Sequence, residues 1–137
     1  MTNSGSNCAL CQIVAGTLEV RRLIETPTSI GFVPPVEALA PGHMVVCPKR
    51  HVTNLHDCED IELSELLVLV ARLARAAELE SYNVLQNNGR IAGQTVFHPH
   101  VHLIPKWSET DGLVLERRPR GPIDHTAIVE RILRNLT

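Results

Sequence analysis

The chain has 137 residues, enough for one domain built on a single hydrophobic core and too few for two. Apolar residues make up 44% and charged residues 20%, a globular composition that argues against disorder and against a coiled coil. A formal net charge of −2 and an aromatic complement of Phe32, Tyr82, Phe97 and Trp107 exclude a basic, aromatic-striped surface that coats nucleic acid.

In chain order, residues 1–7 (MTNSGSN) read as a loose polar tail and residues 8–137 as the domain. The tail lacks the basic start and apolar run of a signal peptide, and no stretch reaches the roughly 18 apolar residues of a membrane helix. The expectation is a cytoplasmic protein with no membrane association. A reducing compartment keeps thiols free, so Cys8 and Cys11 suit metal ligands or redox thiols, while Cys47 and Cys58 suit small core residues.

Short runs bounded by Pro, Gly or Asn predict strands over residues 18–25, 29–33, 43–47 and 83–86. Leu63, Leu66, Leu67, Val70, Leu73, Ala74 and Ala77 recur at helical spacing and predict one long helix. Asp57 or Asp60 is its expected cap, with Glu59, Asp60 and Glu62 near the positive end of the helix dipole. A second helix is predicted over residues 124–136, with Ile128, Ile132 and Leu136 on one stripe. These elements make an α+β fold: an antiparallel sheet with one long helix packed on it and a C-terminal helix.

Residues 95–104 carry the chemistry. As a strand, their period of two places His98, His100 and His102 on one face and Pro99, Val101 and Leu103 on the other. Pro99 offers no N–H to a ladder, so the strand should be an edge, bulged or interrupted there. Stacked imidazoles repel when charged, so at least some of the three are expected to be neutral at pH 7, which suits imidazole as nucleophile or metal ligand. The preceding polar, glycine-bearing loop, residues 87–95, can turn N–H groups toward an anion. His43 and His51 flank a short apolar strand and are weak signals by themselves.

Together these segments resemble the histidine-triad family, whose signature is three histidines alternating with apolar residues and followed by two more. His98-Pro99-His100-Val101-His102-Leu103-Ile104 fills every position, with proline unusual in its slot. Cys8-x-x-Cys11, Pro41-Gly42-His43, Pro48-Lys49-Arg50-His51, Asn87 and Ala92-Gly93-Gln94-Thr95 match in the family's order, over about residues 8–107. The resemblance implies a nucleotidyl hydrolase or transferase in which His100 attacks the α-phosphorus of a nucleotide and water or another acceptor resolves the nucleotidyl-histidine. It further implies that Asn87, Gly93, Gln94, Thr95 and His102 surround the phosphate, and that His43 supports the row. Structural zinc on Cys8, Cys11, His51 and His98, and a homodimer paired through a helix with a continuous sheet, follow from the same likeness.

One position departs from the pattern. Where family members carry an acidic or amide residue for the ribose, this chain has Pro35, and Glu37 is the candidate substitute. Two rival readings are a nucleotide-binding module without turnover and a hydrolase with a catalytic metal on His98, His100 and His102.

Overall fold

Five short strands form one antiparallel sheet in the computed structural model, which describes residues 7–35 and 38–137. The expected loose tail therefore falls almost wholly outside the described residues, as does Glu37. The strands are β1 (Arg21–Glu25), β2 (Ser29–Val33), β3 (Met44–Pro48), β4 (Tyr82–Leu85) and β5 (Val101–Pro105), in the order β1-β2-β3-β5-β4. Helices α1 (Ala9–Ala15), α2 (Asp60–Ala76) and α3 (Thr126–Leu136) complete the α+β fold.

Both faces of the central strands are buried, and alternation sorts their side chains. Met44, Val46, Val101 and Leu103 meet Leu66, Leu69, Val70 and Leu73 of α2 on one face. Ile30, Phe32, Val45 and Cys47 meet Cys8, Leu10 and Ile13, from α1 and its cap, on the other. The long helix was legible from its spacing, but its buried stripe includes Leu69, while Leu67 is 62% exposed and Ala77 is exposed.

The cap of α2 also differs from expectation. Glu59 is the N-cap, and Glu62 Oε1 accepts from the Glu59 N–H at 2.8 Å. Asp57 instead closes a preceding 3₁₀ turn, accepting from the Asn54 N–H at 3.0 Å. The short helix α1 was not anticipated; its signals are Cys8 at the N-cap and Gly16 at the left-handed C-cap.

The histidine strand is shorter than the alternation implied. It begins at Val101, leaving residues 96–100 irregular: β5 lies between β3 and β4, and Pro99 could give an N–H to neither, whereas Pro48 and Pro105 stand at the ends of their strands. Interruption, not an edge position, is how the fold accommodates Pro99. His102 remains in the ladder opposite Val45 on β3 and Leu85 on β4.

Candidate functional site

Four potential ligands converge where α1, the end of β3 and the irregular segment before β5 meet. Cys8 and Cys11 sit at the start of α1, where the Cys11 N–H points at Cys8 Sγ at 3.5 Å. His98 Nδ1 lies 3.6 Å from Cys8 Sγ and 3.5 Å from Cys11 Sγ. His51 Nδ1 lies 3.2 Å from Cys11 Sγ and 3.3 Å from His98 Nδ1. Ligands on a tetrahedral ion with bonds of about 2.3 Å to sulfur and about 2.0 Å to nitrogen stand about 3.5 Å apart for sulfur–nitrogen pairs and about 3.3 Å for nitrogen pairs. The four atoms lie within 4.8 Å of one another and form a cluster able to hold a metal ion.

The surrounding hydrogen bonds fit that use. A carbonyl can only accept, so the 2.7 Å contact of His98 Nε2 with Pro48 O places the ring proton on Nε2 and leaves Nδ1 bare toward the sulfurs. Burial pushes the Cys11 thiol up to about 11, helped by its contact with Cys8, so a cation is needed to displace its proton near neutrality. Arg50, beside His51, is anchored by Glu62, with Nη2 donating to Oε1 at 2.7 Å. That guanidinium holds the Glu62 carboxyl below its usual range despite burial. Glu62 thus serves as an anchor for Arg50 as well as an acid near the positive end of the helix dipole.

The expectation of three imidazoles on one face is corrected here: His98 turns its Nδ1 into the cysteine cluster, and the row continues with His100, His102 and His43. His100 and His102 meet edge to face with ring centroids 5.0 Å apart, and His102 and His43 do so at 5.2 Å. This arrangement also removes the convergent trihistidine metal site, since His98 faces away and His100 spends Nδ1 elsewhere.

The tautomers follow from the partners. His100 Nδ1 donates to the His98 carbonyl at 2.8 Å, which leaves its lone pair on Nε2. His43 Nδ1 accepts from the Leu39 N–H at 3.0 Å, so its own proton is on Nε2. That Nε2–H donates to His102 Nδ1 at 3.0 Å, which puts the His102 proton on Nε2. Two neighbouring rings thus present opposite ends: a bare Nε2 on His100 and an Nε2–H on His102. Burial holds His43 and His100 below the ordinary imidazole value, and it takes His102 down to about 4 with help from its histidine neighbours. All three are neutral near pH 7. The Leu39 N–H had no signal in the sequence, because every residue but proline carries one.

The loop before the row divides its expected roles. Gly93 has φ of +101°, and a Cβ there would stand 3.1 Å from Asn87 Nδ2, so glycine lets the Asn87 amide close on the loop. Thr95 is exposed. Gln94 is 2% exposed, its Oε1 accepts from the Gly89 N–H at 2.8 Å and its Nε2 donates to Thr53 O at 2.7 Å. Its side chain ties the loop at Gly89 to the loop at Thr53. Pro35 lies exposed after β2, beside an open depression of about 610 Å³ lined also by Glu19, Val20, Arg21, Val33 and Pro34.

Residues 19–109 match the family model of the HIT domain. The chain is 44% identical over 108 residues to adenosine 5'-monophosphoramidase HNT1 of Saccharomyces cerevisiae, a match spanning 79% of this chain and 68% of that protein. A histidine triad nucleotide-binding protein from Candida albicans shares the fold with a TM-score of 0.84 at 36% identity, over 94% of this chain and 96% of that one. A zinc-bound histidine triad family protein from Mycobacterium smegmatis gives a TM-score of 0.73 at 30% identity, over 85% and 86% of the two chains.

Proposed function

The chain belongs to the HIT-domain family, and from that premise we propose that it hydrolyses a nucleoside phosphoramidate, or a related mixed anhydride or dinucleotide, through a nucleotidyl-histidine. The observation that carries this reading is the opposed pair of tautomers, His100 with a bare Nε2 and His102 with an Nε2–H. His100 Nε2 forms a bond to the α-phosphorus while the phosphorus–nitrogen bond to the leaving amine breaks, and the amine takes the His102 Nε2 proton. Water then attacks the phosphorus and gives a proton to His102. The bond to His100 breaks, releasing a nucleoside monophosphate and restoring both rings.

Asn87, the exposed Thr95 and the backbone of residues 93–95 are the proposed phosphate contacts, where donors can stabilise charge on non-bridging oxygens. His43 sets the His102 tautomer. The depression beside Pro35 is the proposed room for the nucleoside.

Cys8, Cys11, His51 and His98 are the proposed zinc ligands, a closed set that would cross-link α1 to β3 and the β5 approach without touching substrate. A homodimer is proposed through the edge strand β4, where Tyr82 and Val84 are exposed, and the neighbouring exposed Leu67 of α2. No helix among the described residues is long and apolar enough to cross a membrane. A cytoplasmic location is proposed from the need to keep both ligand cysteines reduced.

Rapid mixing with a panel of nucleoside phosphoramidates, followed by mass spectrometry, tests the mechanism. A nucleotidyl mass on His100 is the expected result, with no adduct and no turnover in His100→Ala. Full activity in that variant would end the nucleophile assignment, and binding without any adduct would favour a non-catalytic nucleotide module.

A further inference from the structure

The loop that supplies the Leu39 N–H has little apolar anchorage. Ala38, Leu39, Pro41 and Gly42 are all exposed, and between residues 38 and 42 only Ala40 is buried. Yet the relay depends on it, because the Leu39 N–H on His43 Nδ1 decides which nitrogen of His43 carries the proton. If that N–H withdrew, His43 could hold its proton on Nδ1 instead. Its Nε2 would then accept from His102 Nδ1, and His102 would face the reaction with a bare Nε2. The hydrogen bond between the rings survives in both cases, but its direction reverses. Such a pair is bistable, and one backbone donor selects the state.

What holds that backbone is the turn immediately after β5. The Trp107 indole N–H donates to Pro41 O at 2.8 Å, and the Gly112 N–H donates to Leu39 O at 3.1 Å. The indole is 57% exposed, so packing alone does not account for its placement.

The turn is itself internally tied. Lys106 Nζ donates to the carbonyls of Glu109, Asp111 and Leu113 at 3.1, 2.6 and 3.4 Å, which uses all three of its hydrogens. Asp111 accepts from the N–H groups of Trp107 and Ser108 at 3.1 and 2.8 Å. Gly112 has φ of +66°, and a Cβ there would stand 2.7 Å from Pro105 O, so only glycine brings the chain this close to the end of β5. The same strand carries His102, so a single rigid segment places one ring of the relay and braces the loop that orients the other.

We propose that Trp107 and Gly112 are positioning residues that hold the 39–43 loop so that the Leu39 N–H selects the productive direction of the His43–His102 relay. The inference rests on the proposed mechanism for its effect on rate, but its structural half is testable without any substrate.

The test is nitrogen-15 NMR of the histidine rings together with steady-state kinetics. In the unaltered protein His43 should show a bare Nδ1 and a protonated Nε2. Trp107→Phe keeps an aromatic ring and removes the donor, and benzothienylalanine at 107 keeps the indole shape while replacing only its N–H. Both changes should move the His43 Nδ1 signal toward the protonated value. Both should lower kcat by about fivefold, the worth of one neutral hydrogen bond, with KM little changed. Unchanged ring signals in both variants overturn the inference, as does a fall in kcat with His43 still bare at Nδ1. If the unaltered protein turns over no nucleotide, the proposed function fails while the ring signals still decide the role of Trp107.

Discussion

Replacing Gln94 by leucine separates a loop clamp from a substrate contact. The side chain is 2% exposed and makes two short bonds, 2.8 Å from the Gly89 N–H and 2.7 Å to Thr53 O. Leucine keeps most of the volume, so no large cavity opens and the cost is the polar loss. Each lost bond is worth about 1 kcal/mol net, rising toward about 3 kcal/mol if the abandoned backbone group stays out of water. Gly89 and Thr53 are half-buried, which places each toward the lower end of that range. The sum for Gln94→Leu is about 2–4 kcal/mol, a substantial part of the roughly 5–15 kcal/mol that typically stabilises a domain. Urea unfolding of parent and variant, loaded with the same metal, measures it. A stability within about 0.5 kcal/mol of the parent, combined with a raised KM, would refute the clamp and return the side chain to the substrate.

The neutral histidine row should give a broad plateau of activity on the acid side. His102 is pushed down to about 4, and His43 and His100 are also lowered, so kcat should hold as pH falls to 6.5 and decline only below it. Because these folded-state values lie below the unfolded one of about 6.5, their contribution to stability is present above that pH and is lost progressively as pH falls toward 4. An acid limb centred at 6.5 or above in the kcat profile would contradict the burial of the row. Cys11→Ser should abolish stoichiometric zinc in metal analysis and lower the melting temperature by several degrees, with any loss of activity tracking loss of the fold; wild-type zinc content would sink the ligand set. If the chain pairs through β4 and α2 as proposed, the parent should sediment as a dimer and Leu67→Glu together with Val84→Lys as a monomer; a monomeric parent would end the proposed pairing, and a dimeric variant would move the interface elsewhere.

Much of the site was legible because its signals are local. Alternation along residues 98–104 marked the histidines, C-x-x-C marked the metal cluster, and helical spacing marked α2. These patterns depend on chemistry that only certain side chains supply, at separations set by backbone geometry. The short helix α1 was missed because seven residues carry too little periodicity to distinguish a helix from a loop.

The sequence by itself determined which groups were on offer: imidazoles, thiols and a glycine-bearing loop in the family's order. It could not decide how they share the work, because each division depends on partners distant in the chain. His98 leaves the row because Pro48 O captures its Nε2 and two cysteines from α1 face its Nδ1. Gln94 becomes a clamp because residue 53 lies against it. His102 presents a proton because a backbone N–H at residue 39 dictates the tautomer of His43. Hydrogen bonds act over about 3 Å whatever the distance along the chain, so only the tertiary structure could decide which partner each group meets.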